Sequence, residues 1–278
     1  MKVSKTNAWI SCYIYDTGSL DQLLTNNIWP FVRRLNEEQL IRQFFFIRYV
    51  DTGGPHIRLR LLPDKSLSRQ SIRKRVKTRF PDAKFVTYIP EIERYGGSEG
   101  LNIAERLFEA SSLAVLRLIA IDKPWNYGRA LASAAQMNLG MLQAFGVSRA
   151  EVVALCAHLA QSNLVPGRPD EHFERGFAAQ RETIVPQFAA LWDACEKSVD
   201  FKDQWFADWR QAMNEVGSEM RRANNEDKLI LVESAHHDDA LWYLYESYIH
   251  MTNNRLGVKP PDESFLAYLL QRSLGKHN

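Results

Sequence analysis

The spacing of hydrophobic and polar positions changes character about a third of the way along the chain. Asn7–Tyr15 (NAWISCYIY) is aromatic and β-branched, which predicts a strand. Within Leu20–Glu38, Leu23, Leu24, Phe31, Val32 and Leu35 have helical spacing, with a break expected at Pro30. Phe44–Val50 (FFFIRYV) reads as a buried strand, Asp51–Pro55 (DTGGP) as a turn and His56–Leu62 (HIRLRLL) as the returning strand. Ser66–Arg79 predicts a basic helix with Ser66 as its N-cap and Pro81 beyond its end. Lys84–Tyr88 (KFVTY) is a last short strand, closed by Pro90. The resulting β-α-β-β-α-β order is that of a ferredoxin-like unit, which keeps its helices on one face of an antiparallel sheet.

From Glu99 onward the strand signals vanish. Helical spacing runs through Leu101, Ala104, Leu107 and Phe108, then through Leu113–Ile119, Tyr127–Phe145 and Ser148–Leu159. It resumes in Glu171–Cys195, Trp205–Arg221, Asp238–Asn254 and Glu263–Ser273. Gly146 and Ser148 pair a helix stop with a fresh N-cap, and Asn163–Asp170 (NLVPGRPD) is the best linker candidate. The fold class is therefore α+β: a ferredoxin-like βαββαβ sheet unit over residues 1–98, then a mainly helical part over residues 99–278 that shares its core.

Composition narrows the function classes. The 278 residues are 45% hydrophobic and 24% charged, which excludes a disordered tail, a collagenous rod and a disulfide-stapled miniprotein. No stretch approaches the roughly 20 apolar residues of a membrane helix, and the N-terminus predicts no signal peptide. A net charge of +2 is too small to argue for direct nucleic-acid binding. Three well-separated cysteines, Cys12, Cys156 and Cys195, lack CxxC spacing and fit a reducing cytoplasm as small buried residues. The sequence has no P-loop, GxGxxG or HExxH motif.

Four polar clusters interrupt otherwise apolar elements. In the first, Arg48 precedes the turn and His56, Arg58 and Arg60 alternate along the following strand, so that these three share a face. Paired guanidinium groups suit a carboxylate or phosphate, although a strand showing its polar face to water gives the same pattern. The second is Pro90–Gly97 (PEIERYGG), where Glu91 and Arg94 precede a glycine pair that marks a sharp turn or close approach. They read equally as a loop site or as an exposed ion pair. In the third, helical spacing puts Tyr243, Glu246, Ser247, His250 and Asn254 on one stripe, with Arg255 beside it. His250 is suited to proton transfer, with Glu246 one turn back to orient it, or is a structural histidine. The fourth, His236-His237-Asp238-Asp239, looks more like a helix start after Ser234 than a metal site, since adjacent residues diverge on a helix. The basic run from Arg73 to Arg79 reads first as a solvated face.

Together, FFFIRYVDTGGPHIRLRL, YIPEIERYGG with the following AERLFEASS, and SYIHMTNNRLGV resemble the small domain of lantibiotic dehydratases. That module also occurs as the stand-alone thiopeptide-type bacteriocin biosynthesis protein. The likeness spans nearly the whole chain from Trp29-Pro30-Phe31 onward. It implies one elimination-type module: a lyase that removes glutamate from glutamylated Ser or Thr of a ribosomally made precursor peptide, leaving dehydroalanine or dehydrobutyrine. Matched motif to motif, the resemblance places elimination residues at Arg58, Arg60, Glu91, Arg94 and His250, with Arg48, His56, Asn254 and Arg255 as candidate substrate contacts. It implies no cofactor and no metal. No large glutamylation domain is present in these 278 residues, so a separate glutamyl-tRNA-dependent partner is expected. The assembly, a homodimer included, is left open. Two other readings stand beside the lyase: a pyridine synthase joining two dehydroalanines by formal [4+2] cycloaddition with release of the leader peptide, and a non-catalytic leader-docking adaptor that pairs the leader with the sheet edge.

Overall fold

A computed structural model describes residues 8–121, 124–161, 171–197, 201–231 and 241–275. Both Asn163–Asp170 and the His236–Asp239 cluster lie outside the described residues. The amino-terminal strand β1 (Ile10–Tyr15) leads into a helical stretch made of α1 (Leu20–Leu23), a π-helical turn (Leu24–Ile28) and α2 (Trp29–Glu37). Strands β2 (Ile41–Asp51) and β3 (Gly54–Pro63) form a hairpin, followed by α3 (Arg69–Arg79) and the short β4 (Lys84–Val86). The sheet is antiparallel, with strand order β2-β3-β1-β4.

Two local expectations are corrected. Pro30 does not interrupt the helix: it sits in the first turn of α2, just after the π-helical turn, where the N–H it lacks is least needed. The N-cap of α3 is Ser68, whose hydroxyl accepts from Ser71 N–H at 3.2 Å. Ser66 instead closes an Asx turn, its N–H donating to Asp64 at 2.9 Å.

Past β4 the chain is helical: a 3₁₀ turn (Glu93–Tyr95), then α4 (Gly97–Ile121), α5 (Tyr127–Ala144) and α6 (Arg149–Gln161). These are followed by α7 (Glu171–Glu196), α8 (Gln204–Asn225), α9 (Leu241–Leu256) and α10 (Pro260–Leu274). The architecture among the described residues is thus α+β, a four-stranded antiparallel sheet near the N-terminus followed by helices.

The pleat of β3 decides what each sheet face carries. Ile57, Leu59 and Leu61 are fully buried on one side, along with Cys12, Leu24, Ile28, Val32, Ile72 and Val76 in the core. That single hydrophobic core continues through Phe108, Leu142, Trp209 and Tyr248 of the helical part. The free edge of β2 is closed by side chains rather than by a fifth strand. The Phe44 N–H donates to Glu109 at 3.2 Å and the Phe46 N–H to Ser112 Oγ at 3.1 Å. Asn254 then accepts from the Arg48 N–H and donates to the Arg48 carbonyl, both at 3.0 Å. An unpaired edge invites pairing with another chain, and these contacts from α4 and α9 remove that opportunity.

Candidate active site

On the other side of β3, His56, Arg58 and Arg60 share a face, as the alternation predicts. The bland alternative of a solvated face does not hold: His56 is fully buried and Arg60 is 6% exposed. The cause is an aromatic cover contributed by the neighbouring strands. The rings of Tyr13, Tyr15 and Tyr49 lie 4.9, 4.5 and 5.5 Å from the His56 imidazole. The Arg58 guanidinium lies 3.3 Å from the Tyr49 ring centroid and 4.9 Å from that of Tyr13. His56 Nδ1 is 3.1 Å from the Gly54 carbonyl, which can only accept, so that nitrogen carries the proton and Nε2 faces Arg58 Nε at 3.5 Å.

Among the described residues no carboxylate is ion-paired with Arg60. Its guanidinium lies 5.1 Å from the Tyr88 ring, and its Nε and Nη1 find no acceptor among the described residues. Burial lowers its pKa from the ordinary arginine value. Arg255 is fully buried on α9 and is pushed down to about 9 by the same desolvation. It donates to Ser112 Oγ and to the Met251 carbonyl, while its Nη2 is left without a partner among the described residues.

A second group of predicted residues lines a cavity of about 420 Å³ walled by α5, α6, α9 and α10. Arg94 reaches it from the loop before α4, and Glu246 and His250 from α9. The local fold explains the loop: Gly96 and Gly97 take φ values of +80° and +83°, which L side chains disfavour, so only glycines turn the chain cheaply here. Arg94 Nε donates to Ser247 Oγ at 3.1 Å and Nη1 to Glu91 at 3.0 Å. Burial works against its charge, but Tyr95 and Glu91 outweigh burial and its pKa is raised overall.

The orienting carboxylate for His250 is a residue the sequence did not single out. Both carboxylate oxygens of Glu263 lie 3.1 Å from His250 Nδ1. Glu246 lines the same cavity but is not the hydrogen-bonded partner, which corrects the expectation that it orients the ring. The placement of Glu263 follows from local rules. Gly257 turns the chain after α9 with φ of +83°, Pro260 opens α10, and Asp262 and Glu263 occupy its first turn, where the helix dipole favours carboxylates. Cys156 also faces the cavity, but burial pushes its thiol up to about 12, so at neutral pH it is no thiolate nucleophile.

The predicted residues therefore fall into three places. Arg94 and His250 share the cavity, while Glu91 is exposed, outside its lining, and bound to Arg94. Arg58, Arg60 and His56 occupy the sheet face and are not among the residues lining that cavity. Each group has its own phenol: the Arg60 guanidinium lies 5.1 Å from the Tyr88 ring and that of Arg94 lies 5.9 Å from the Tyr95 ring. Arg48 and Asn254 serve elsewhere. Arg48 lies on the helix-covered face, ion-paired with Asp21 at 2.6 Å and donating to the Arg255 carbonyl at 2.8 Å. Both ends of the Asn254 amide are taken by the Arg48 backbone. Among the described residues no cluster of His, Cys, Asp and Glu has the makings of a metal site, and no helix is long and apolar enough to cross a membrane.

An α+β chain with an imidazole- and arginine-bearing cavity and an arginine-bearing sheet face can be compared with known proteins. The family model described as "Lantibiotic biosynthesis dehydratase C-term" matches residues 9–274, and the chain belongs to that family. A search of curated proteins finds no match. Among solved structures, TsrL superposes with a TM-score of 0.69 at 16% identity, covering 95% of this chain and 93% of TsrL. The pyridine synthase TbtD from thiomuracin biosynthesis gives 0.66 at 13% identity, covering 96% of this chain and 97% of that one. The tRNA-dependent lantibiotic dehydratase MibB from Microbispora sp. 107891 gives 0.63 at 18% identity, covering 99% of this chain but 28% of MibB. At these identities the likeness is one of fold.

Proposed function

We propose that this protein is a lyase that eliminates glutamate from glutamylated Ser or Thr side chains of a ribosomally made precursor peptide. The observation that carries the reading is the pairing, in one cavity, of an imidazole backed by a carboxylate with an arginine cation: His250–Glu263 and Arg94. With Nδ1 held by Glu263, Nε2 of His250 is the atom that takes the Cα proton of the glutamylated residue. The Cα–H electron pair becomes the Cα=Cβ double bond as the Cβ–O bond breaks, and glutamate departs as a carboxylate. Arg94 stabilises the charge that develops, and Glu91 fixes its guanidinium. In this reading the glutamate tail reaches toward Arg58 and Arg60, where Arg60 has N–H groups without an acceptor and a buried cation gains most from an anion.

Belonging to the lantibiotic dehydratase C-terminal family supports this reading. The sheet unit is read as ferredoxin-like, a reading that its strand order β2-β3-β1-β4 supports. A separate glutamyl-tRNA-dependent protein supplies the glutamylated peptide, so this chain needs no tRNA contact of its own. Three buried free thiols suit a reducing cytoplasm. The reaction requires only proton transfer and charge stabilisation, without a cofactor.

The shared fold with TbtD favours one second reading, formal cycloaddition of two dehydroalanines with leader release. A reconstituted assay separates the two. The His250→Ala variant should accumulate glutamylated peptide, while the wild-type protein converts it to the dehydrated product. Dehydration at the normal rate by the variant removes His250 as the base.

A further inference from the structure

Asn138 on α5 and Asn253 on α9 face the same cavity, 2% and 1% exposed, one turn along α9 from His250. One hydrogen bond joins them, Asn138 Nδ2 donating to Asn253 Oδ1 at 3.1 Å. Asn138 Oδ1 and Asn253 Nδ2 have no partner among the described residues. Whichever way the two amides are turned, a single bond between them leaves over one carbonyl oxygen and one amide nitrogen. Unsatisfied buried amides are unfavourable, and apolar side chains of the same size would fill this wall without that cost.

The two orphaned atoms specify the chemistry of what they bind. The ligand must accept from Nδ2 and donate to Oδ1. A carboxylate brings no donor, and an ammonium brings no acceptor. An extended peptide residue brings both, since its N–H and C=O point to the same side. The protein already uses such an arrangement one residue further along α9, where Asn254 holds the N–H and C=O of Arg48.

We propose that Asn138 and Asn253 form a subsite for one backbone residue of the substrate peptide, close to the side chain offered to His250. The proposal rests on the cavity being the substrate pocket. It accounts for recognition of a peptide by its main chain rather than by its side chains.

The test is an amide-to-ester scan. A short fluorescein-labelled alanine peptide with one glutamylated serine at its centre is bound to the full chain carrying His250→Ala, which prevents turnover, and affinity is read by anisotropy. Each backbone amide is replaced in turn by an ester, which lacks the N–H. One ester position should weaken binding about tenfold, and Asn138→Leu should weaken the unmodified peptide about tenfold while abolishing the effect of that ester. A flat scan, equal losses in both proteins, or no measurable peptide binding overturns the subsite, including the case in which a water alone bridges the two amides. Circular dichroism checks folding. Where the leucine variant does not fold, Asn253→Asp keeps the shape but turns the donor into an acceptor, and unchanged affinity in that variant overturns the proposal equally. Glutamate release by the wild-type chain is scored separately, so release with a flat scan sinks only the subsite, and a coupled scan without release sinks only the lyase.

Discussion

His250 has Nδ1 pinned between the two oxygens of Glu263, and this makes Glu263 the sharpest test at the scale of single residues. Glu263→Gln retains size but removes the charge that supports an imidazolium, so kcat should fall by on the order of 10²-fold with KM little changed. A rise in KM with kcat intact would show that Glu263 contacts substrate instead of positioning the ring. His250 was legible in the sequence because a histidine on the polar stripe of a helix stands out. Glu263 was not, since it lies thirteen positions further on and meets His250 only because Gly257 and Pro260 fold α10 back. The nearer carboxylate, Glu246, has the right helical spacing but points into the cavity without bonding the ring. Arg48 shows a partner that the sequence did not suggest: this strand arginine is ion-paired with Asp21 on the helix-covered face.

Among the elements, the capped edge of β2 joins sheet to helices, and two predictions belong there. Asn254→Leu leaves the half-buried Arg48 N–H and C=O without their side-chain partners and should cost about 1 kcal/mol, visible as a lower urea midpoint with an unchanged slope. Glu109 gives a pH test. Burial raises its pKa from 4.5 to about 7, opposed by the Phe44 N–H and Arg106. The folded state then binds a proton that the unfolded state has lost, so stability is full below about 4.5 and declines as pH rises through about 7. Glu109→Gln keeps an acceptor for Phe44 without the charge. Its melting temperature should match wild type at pH 4.5 and exceed it at pH 8, and parallel melting curves at both pH values would contradict this. The strands and most helices were legible from periodicity, but the strand ends were not: β2 and β3 pair through Asp51 and Gly54, inside the expected Asp51–Pro55 turn, and β4 stops at Val86 rather than Tyr88. The edge caps were not, because a lone Glu, Ser or Asn on a helix carries no mark of the strand it will meet.

For the molecule as a whole, residues 1–98 and 99–278 contribute to one continuous core, with Phe45 packed on Phe108 at 5.3 Å. A fragment of residues 1–98 loses every β2 edge cap and that packing partner, and by circular dichroism should not fold alone. Cooperative melting of the fragment would show two independent units. The order of elements, α+β class and arginine-bearing strand face were readable from residue pattern, while the resemblance supplied the reaction. What neither gave is the division of the predicted site between a sheet face and a cavity, because the meeting of elements distant in the chain leaves no trace in local spacing. The central claim concerns chemistry in that cavity, and mass spectrometry of the chain with a glutamylated precursor peptide tests it most directly. The account predicts loss of glutamate with formation of dehydroalanine or dehydrobutyrine, abolished in Arg94→Ala and His250→Ala. A glutamylated peptide of unchanged mass, together with leader release from a dehydroalanine peptide, would contradict it.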